Sequence, residues 1–191
     1  MTSSVPAPGH PSRRGRLMLI ALFALFFGSM LVAGALRFSG WQPSGHRNHG
    51  ELLSPPADLR MLAPRLADGG AYAWEPAARI WRIALAPSPD CAADCRALAG
   101  DLDKVRQLLG HRADHVHLLW IGTPPADLAA LPALHALQPD PALLAVLPRA
   151  ADPAGTPVYV IDPNGFVILR YAPGFDPAGL RADLAKLLKL K

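Results

Sequence analysis

No Gly-rich phosphate loop, His-Glu-x-x-His helix or Gly-x-Ser-x-Gly elbow occurs in the sequence, so nucleotide use and hydrolase chemistry have no support in it. Cysteine is scarce, with two in 191 residues. A basic field is missing as well, despite a net charge of +4, because the four arginines Arg13, Arg14, Arg16 and Arg37 carry the whole excess. The chain after Arg37 is formally neutral and lacks the clustered positive charge that phosphate binding needs, which argues against nucleic acid as a partner.

Charge is absent altogether from Leu17 to Leu36. Twenty residues at a helical rise of about 1.5 Å span about 30 Å, the thickness of a bilayer core. Arg13, Arg14 and Arg16 precede this span and Arg37 alone follows it, so the positive-inside rule predicts a cytoplasmic N-terminus. The reading is a cytoplasmic tail over 1–16, a transmembrane anchor over 17–36, a juxtamembrane linker over 37–68 and a folded domain over 69–191. Signal-peptide cores are shorter, but Ala33-Gly34-Ala35 offers the small residues of a cleavage site, which leaves cleavage after Ala35 as the alternative. Both readings export the domain, to the periplasm if the cell is Gram-negative, with the anchor in the inner membrane as a single pass. About 150 residues remain after the anchor, enough for one domain with its own core.

The linker is rich in Pro, Gly, Ser and His, and within it Asn48 to Pro56 suits an extended arm packed on the domain, because its prolines oppose a helix. Ile80 to Leu85 and Val116 to Ile121 are apolar runs of the kind that form strands buried on both faces. Between them Leu98, Leu102, Val105 and Leu109 recur at helical spacing, with Asp90 as a cap and Gly110 as a stop. A strand, helix and strand of this length predict a right-handed parallel crossover. Ala126 to Ala136 is expected to be helical despite Pro132, and Pro139 to Arg149 is ambiguous. Val158–Ile161 and Phe166–Tyr171 flank Asp162-Pro163-Asn164-Gly165 as an antiparallel hairpin, and Asp176-Pro177 opens a last helix with Leu180, Leu184, Leu187 and Leu188 inward.

The two cysteines are Cys91 and Cys95, four positions apart at the predicted helix start. A pair this close can close a small disulfide ring or hold one soft metal ion, and a helix start lowers thiol pKa values. An exported compartment permits the disulfide. Cys91, nearer the helix start and solvent, is the expected nucleophile, and Cys95 the thiol that resolves the mixed disulfide. Asp90 and Asp94 oppose thiolate formation, and Arg96 could partly offset them. A static structural bridge in a non-catalytic interaction domain is the plain alternative.

A strand, a cysteine loop opening a helix, a second strand, then Thr156-Pro157 before a hairpin and a final helix resembles the thioredoxin superfamily. Within it, the anchored exported domain, the Cys-x3-Cys spacing and Val160-Ile161-Asp162-Pro163-Asn164-Gly165 are similar to the Sco/SenC family of copper and thiol proteins. The resemblance covers roughly residues 80–191. It implies an α/β, thioredoxin-like fold with a βαβ nucleus and a C-terminal β-hairpin plus helix, preceded by one transmembrane helix.

For function, the resemblance implies assistance in cytochrome c oxidase assembly, by copper delivery or by reducing the thiols of a partner. That partner would be an oxidase subunit or another exported thiol or metal protein. Cys91 and Cys95 would then be both the redox pair and the ligands of Cu(I), and Pro157 would stand beside them, where thiol-disulfide members of the superfamily often place a cis peptide bond. A general thiol-disulfide oxidoreductase is the alternative, and Pro157 supports it. The family takes a third copper ligand from a histidine shortly before the hairpin strand, whereas residues 151–157 here contain none. His115, His117, His111 and His135 in the domain, and His46 and His49 in the linker, are the remaining candidate nitrogen donors.

Overall fold

Apolar runs that alternate between two covered faces build a six-stranded sheet in the computed structural model, which describes residues 13–39, 48–88, 91 and 93–189. The strands are β1 (Glu51–Asp58), β2 (Trp81–Leu85), β3 (Val116–Ile121), β4 (Leu134–Leu137), β5 (Val158–Ile161) and β6 (Phe166–Tyr171). Their order across the sheet is β1-β6-β5-β2-β3-β4. β2 pairs in parallel with β3 and antiparallel with β5, so the βαβ unit and the C-terminal hairpin share the centre of the sheet.

The helices are α1 (Arg13–Phe38), α2 (Ala93–Gln107), α3 (Ala126–Ala129), α4 (Pro141–Val146) and α5 (Pro177–Leu187). α1 belongs to a separate unit, residues 1–46, and is long and apolar enough to cross a bilayer. The unit over 47–191 holds the sheet.

Successive strand residues point to opposite faces, and this sorts the core into two layers. Trp81, Ile83 and Leu85 of β2, Val116, Leu118 and Trp120 of β3, and Val158 and Val160 of β5 pack with Cys95, Ala99, Leu102 and Val105 of α2 and Leu180 and Leu184 of α5. On the other face Ala84, Leu119, Ile121, Tyr159 and Ile161 pack with Leu59, Tyr72, Leu143 and Leu147. Leu102 and Leu118 are sealed from solvent, and truncating either to Ala would cost about 2–5 kcal/mol.

One segment departs from the sequence-based expectation and another extends it. The helix expected over Ala126–Ala136 is confined to α3, and its second half is strand β4, parallel to β3. Pro132 has no amide proton for a helical ladder, and the backbone of Leu134–Leu137 finds partners at the β3 edge instead. β1 lies within the stretch read as a linker, where the arm expected over Asn48–Pro56 is extended and packs on the domain, and it goes further by pairing antiparallel with β6 as a strand. Its register breaks between Leu52 and Ala57, around a cis Ser54–Pro55 bond, and prolines are tolerated there because β1 is an edge strand. The ambiguous stretch after Pro139 forms α4, where the Asp140 carboxylate caps the amide of Ala142 at 2.8 Å.

Candidate active site

β2 ends at Leu85, and the chain turns so that the Cys91 amide donates to the Ser88 carbonyl at 3.0 Å. Cys91 stands two residues ahead of α2 and Cys95 lies in its first turn, so only one of the pair is within the helix where both were expected. The Asp90 cap lies outside the described residues. Cys91 and Cys95 form a disulfide with their Cα atoms 5.5 Å apart, within the span of a normal bridge. Their surroundings differ: Cys91 is half-buried at the rim of the core, whereas Cys95 is 1% exposed among apolar side chains. An incoming thiolate can therefore reach Cys91 more readily than Cys95.

The third component is Thr156, which the sequence reading named only as the residue before Pro157. Its hydroxyl oxygen lies 3.3 Å from Cys95 Sγ and 3.8 Å from Cys91 Sγ. The loop that delivers it is pinned from below. Arg170, 2% exposed on β6, pairs with Asp152 at 2.5 Å and donates to the Pro148 carbonyl at 3.2 Å. Asp152 in turn accepts the Ala154 amide at 3.0 Å, and this bond first, with Arg170 second, holds its carboxyl below the usual range. Gly155 follows at φ +135°, where a Cβ would meet Pro173 at 3.3 Å. Pro157 is buried at the start of β5, and its bond to Thr156 is trans, since Ser54–Pro55 is the cis bond among the described residues. Pro157 thus fixes the backbone beside the sulfurs without the cis geometry associated with the thioredoxin resemblance.

The sheet separates His117 and His135 from the cysteines. His117 lies on β3 in the alternate set from Val116 and Leu118, which face the cysteine layer, and it meets Tyr72 and His135 on the opposite side. Arg82 Nε donates to the Tyr72 oxygen at 3.0 Å, and the same hydroxyl lies 2.9 Å from His117 Nδ1, within hydrogen-bond distance. Burial, then His135 and Arg82, lower the pKa of His117 to about 4. His49 is held by the buried Asp183, and His46 lies outside the described residues. Among the described residues no group of three or more His, Cys, Asp or Glu side chains is arranged to hold a metal ion. The donors at the site are the two sulfurs, which suit a soft ion of low coordination number such as Cu(I) once reduced; Cu(II) generally wants a nitrogen or oxygen ligand in addition. Arg96 is paired with Asp127 at 2.9 Å.

A family profile described as transmembrane-like, thioredoxin-like, C-terminal domain matches residues 81–191, from the first residue of β2 to the end of the chain. The chain belongs to this family. No curated protein matches it. Among solved structures it is similar to copper-bound Sco1 of yeast, at 14% identity over 77% of this chain and 96% of that one, with a TM-score of 0.54. Apo Sco1 of Thermus thermophilus superposes with a TM-score of 0.51 at 16% identity, over 78% of this chain and 100% of the other. Copper-bound ScoI of Arabidopsis thaliana gives 0.50 at 13%, over 68% and 96%. At these identities the likeness is one of fold, and the fold is the thioredoxin-like one that Sco proteins share.

Proposed function

We propose that this chain is a membrane-anchored, exported thioredoxin-like protein that exchanges disulfides with a thiol partner through Cys91 and Cys95. The observation that carries the reading is the asymmetric bridge, with Cys91 at the rim and Cys95 1% exposed beneath it. Such a pair has an attackable sulfur and a protected one that can resolve the mixed disulfide. The Sco-like fold and the family-like hairpin support a partner among the metal-binding thiols of cytochrome c oxidase, kept reduced for metal insertion. Arg13, Arg14 and Arg16 before α1 support an N-terminus in the cytoplasm and a domain on the outer side of the inner membrane.

A second reading, copper delivery, is supported by the two-sulfur donor set and by relatives of the same fold described with copper bound. Copper would be cargo on the reduced pair, held by Cys91 and Cys95 alone. The deciding experiment equilibrates the full-length chain in detergent with graded thiol buffers. A reduction potential well above about −300 mV supports exchange, and one below it makes the bridge structural and removes the proposal.

A further inference from the structure

The disulfide has one polar neighbour on the described residues that touches both sulfurs, the hydroxyl of Thr156, and it lies nearer the buried one. When a partner dithiol attacks, its thiolate adds to Cys91 Sγ. A new S–S bond joins the partner to Cys91, the Cys91–Cys95 bond breaks, and the electron pair remains on Cys95 Sγ. That charge appears at a sulfur packed against Ala99, Leu102 and other apolar side chains, where an unsolvated thiolate is costly. The partner's second thiolate then displaces Cys91, leaving an oxidised partner and the Cys91, Cys95 dithiol. The reverse sequence uses the same Cys95 thiolate to resolve the mixed disulfide.

We propose that Thr156 is a positioning residue for this exchange: its hydroxyl donates a hydrogen bond to Cys95 Sγ as the disulfide opens, so that Cys95 leaves as a stabilised thiolate. The inference rests on the reading of Cys91 and Cys95 as a redox pair. The oxygen is already 3.3 Å from Cys95 Sγ in the closed bridge, within the range of an O–H···S contact. The Arg170–Asp152 pair, the Gly155 turn and Pro157 hold the loop in place, so little reorganisation is needed when the charge develops.

The test compares the full-length wild type, Thr156→Val and Thr156→Ala with Thr156→Ser, all in detergent. Dithiothreitol equilibria read the potential, and the pH profile of alkylation in a Cys91→Ser background reads the acidity of Cys95. Both hydroxyl-free variants should shift the equilibrium about tenfold toward the disulfide, about 30 mV for this two-electron couple, and raise the alkylation midpoint. Thr156→Ser should stay near the wild type. Hydroxyl-free variants indistinguishable from the wild type, or a serine variant shifted as far as they are, would overturn the inference while the redox reading stands. A folded wild type whose bridge resists dithiothreitol overturns the redox reading itself, and the role of Thr156 with it.

Discussion

Tyr171 donates its hydroxyl to Asp183 Oδ2 at 2.8 Å, joining the end of β6 to the inner face of α5. The same carboxylate oxygen accepts the amides of His49 at 2.6 Å and Gly50 at 3.1 Å, and so ties the chain entering the domain to its last helix. Gly50 is required there, because a Cβ would come within 2.6 Å of the Tyr171 ring. Burial by itself would raise the Asp183 carboxyl. The Gly50 amide, Tyr171 and His49 outweigh it and hold the pKa below the ordinary value, while burial and the adjacent carboxylate push the Tyr171 phenol up.

Asp183→Ala should therefore destabilise the domain by about 3–5 kcal/mol, since it strands a buried hydroxyl and two amides. Urea unfolding measures this. A lowered carboxylate pKa contributes stability above its unfolded value that is lost as pH falls through the folded value, so the gap between wild type and variant should narrow below about pH 4. An unchanged unfolding midpoint at pH 7 would show that the carboxylate does not anchor the entering chain.

His117 gives a second, distinct pH dependence. Its pKa falls from the ordinary 6.5 to about 4 in the folded chain, so the unfolded chain binds the extra proton between these values. The contribution is complete above pH 6.5 and is lost as pH drops toward 4, where protonation would place a charge in a buried site beside His135 and Arg82. Discounted for the partial exposure of the ring, the loss should be about 2 kcal/mol. His117→Asn should flatten the stability profile between pH 7 and 4.5, and an equally steep profile in that variant would assign the dependence elsewhere.

The reduced chain should bind one Cu(I) through both cysteines and bind Cu(II) poorly, since no group of three or more His, Cys, Asp or Glu side chains is gathered to hold a metal among the described residues. Competition titration with a Cu(I) chelator, against a Cys91→Ser, Cys95→Ser control, measures it. No uptake by the wild type, or stoichiometric retention by the double variant, removes the copper reading.

Fusions after Lys191 test the side of the membrane. Alkaline phosphatase should be active and green fluorescent protein dark if the arginines before α1 stay in the cytoplasm. The opposite pattern would put the cysteines in a reducing compartment and sink the oxidase-assembly reading.

Periodicity made much of the fold legible before any coordinates. The continuous apolar runs of β2 and β3, the Leu98, Leu102 and Val105 face of α2, and the Asp-Pro-Asn-Gly turn between β5 and β6 are local signals, and each occurs as the pattern indicates. β4 was not legible, because Leu134-His135-Ala136-Leu137 has too short a pattern to favour strand over helix until β3 offers an edge. β1 was partly legible: the prolines of Asn48–Pro56 indicated an extended arm packed on the domain, and β6 supplies the pairing that makes it a strand.

Site chemistry divides along the same line. The cysteine pair is four residues apart in sequence, so spacing alone brings the sulfurs within bonding reach, and twenty uncharged residues suffice to describe a membrane-length helix. Which other groups meet the sulfurs is a question of distances between segments far apart in the chain, and no local pattern encodes it. Thr156 is 61 positions from Cys95 and touches it, whereas His117, on the adjacent strand, is turned away by the two-residue alternation of β3. The sequence by itself therefore determined most of the elements and the cysteine pair. The packing of β5 beside β2 decided that a hydroxyl, and not an imidazole, stands over the disulfide.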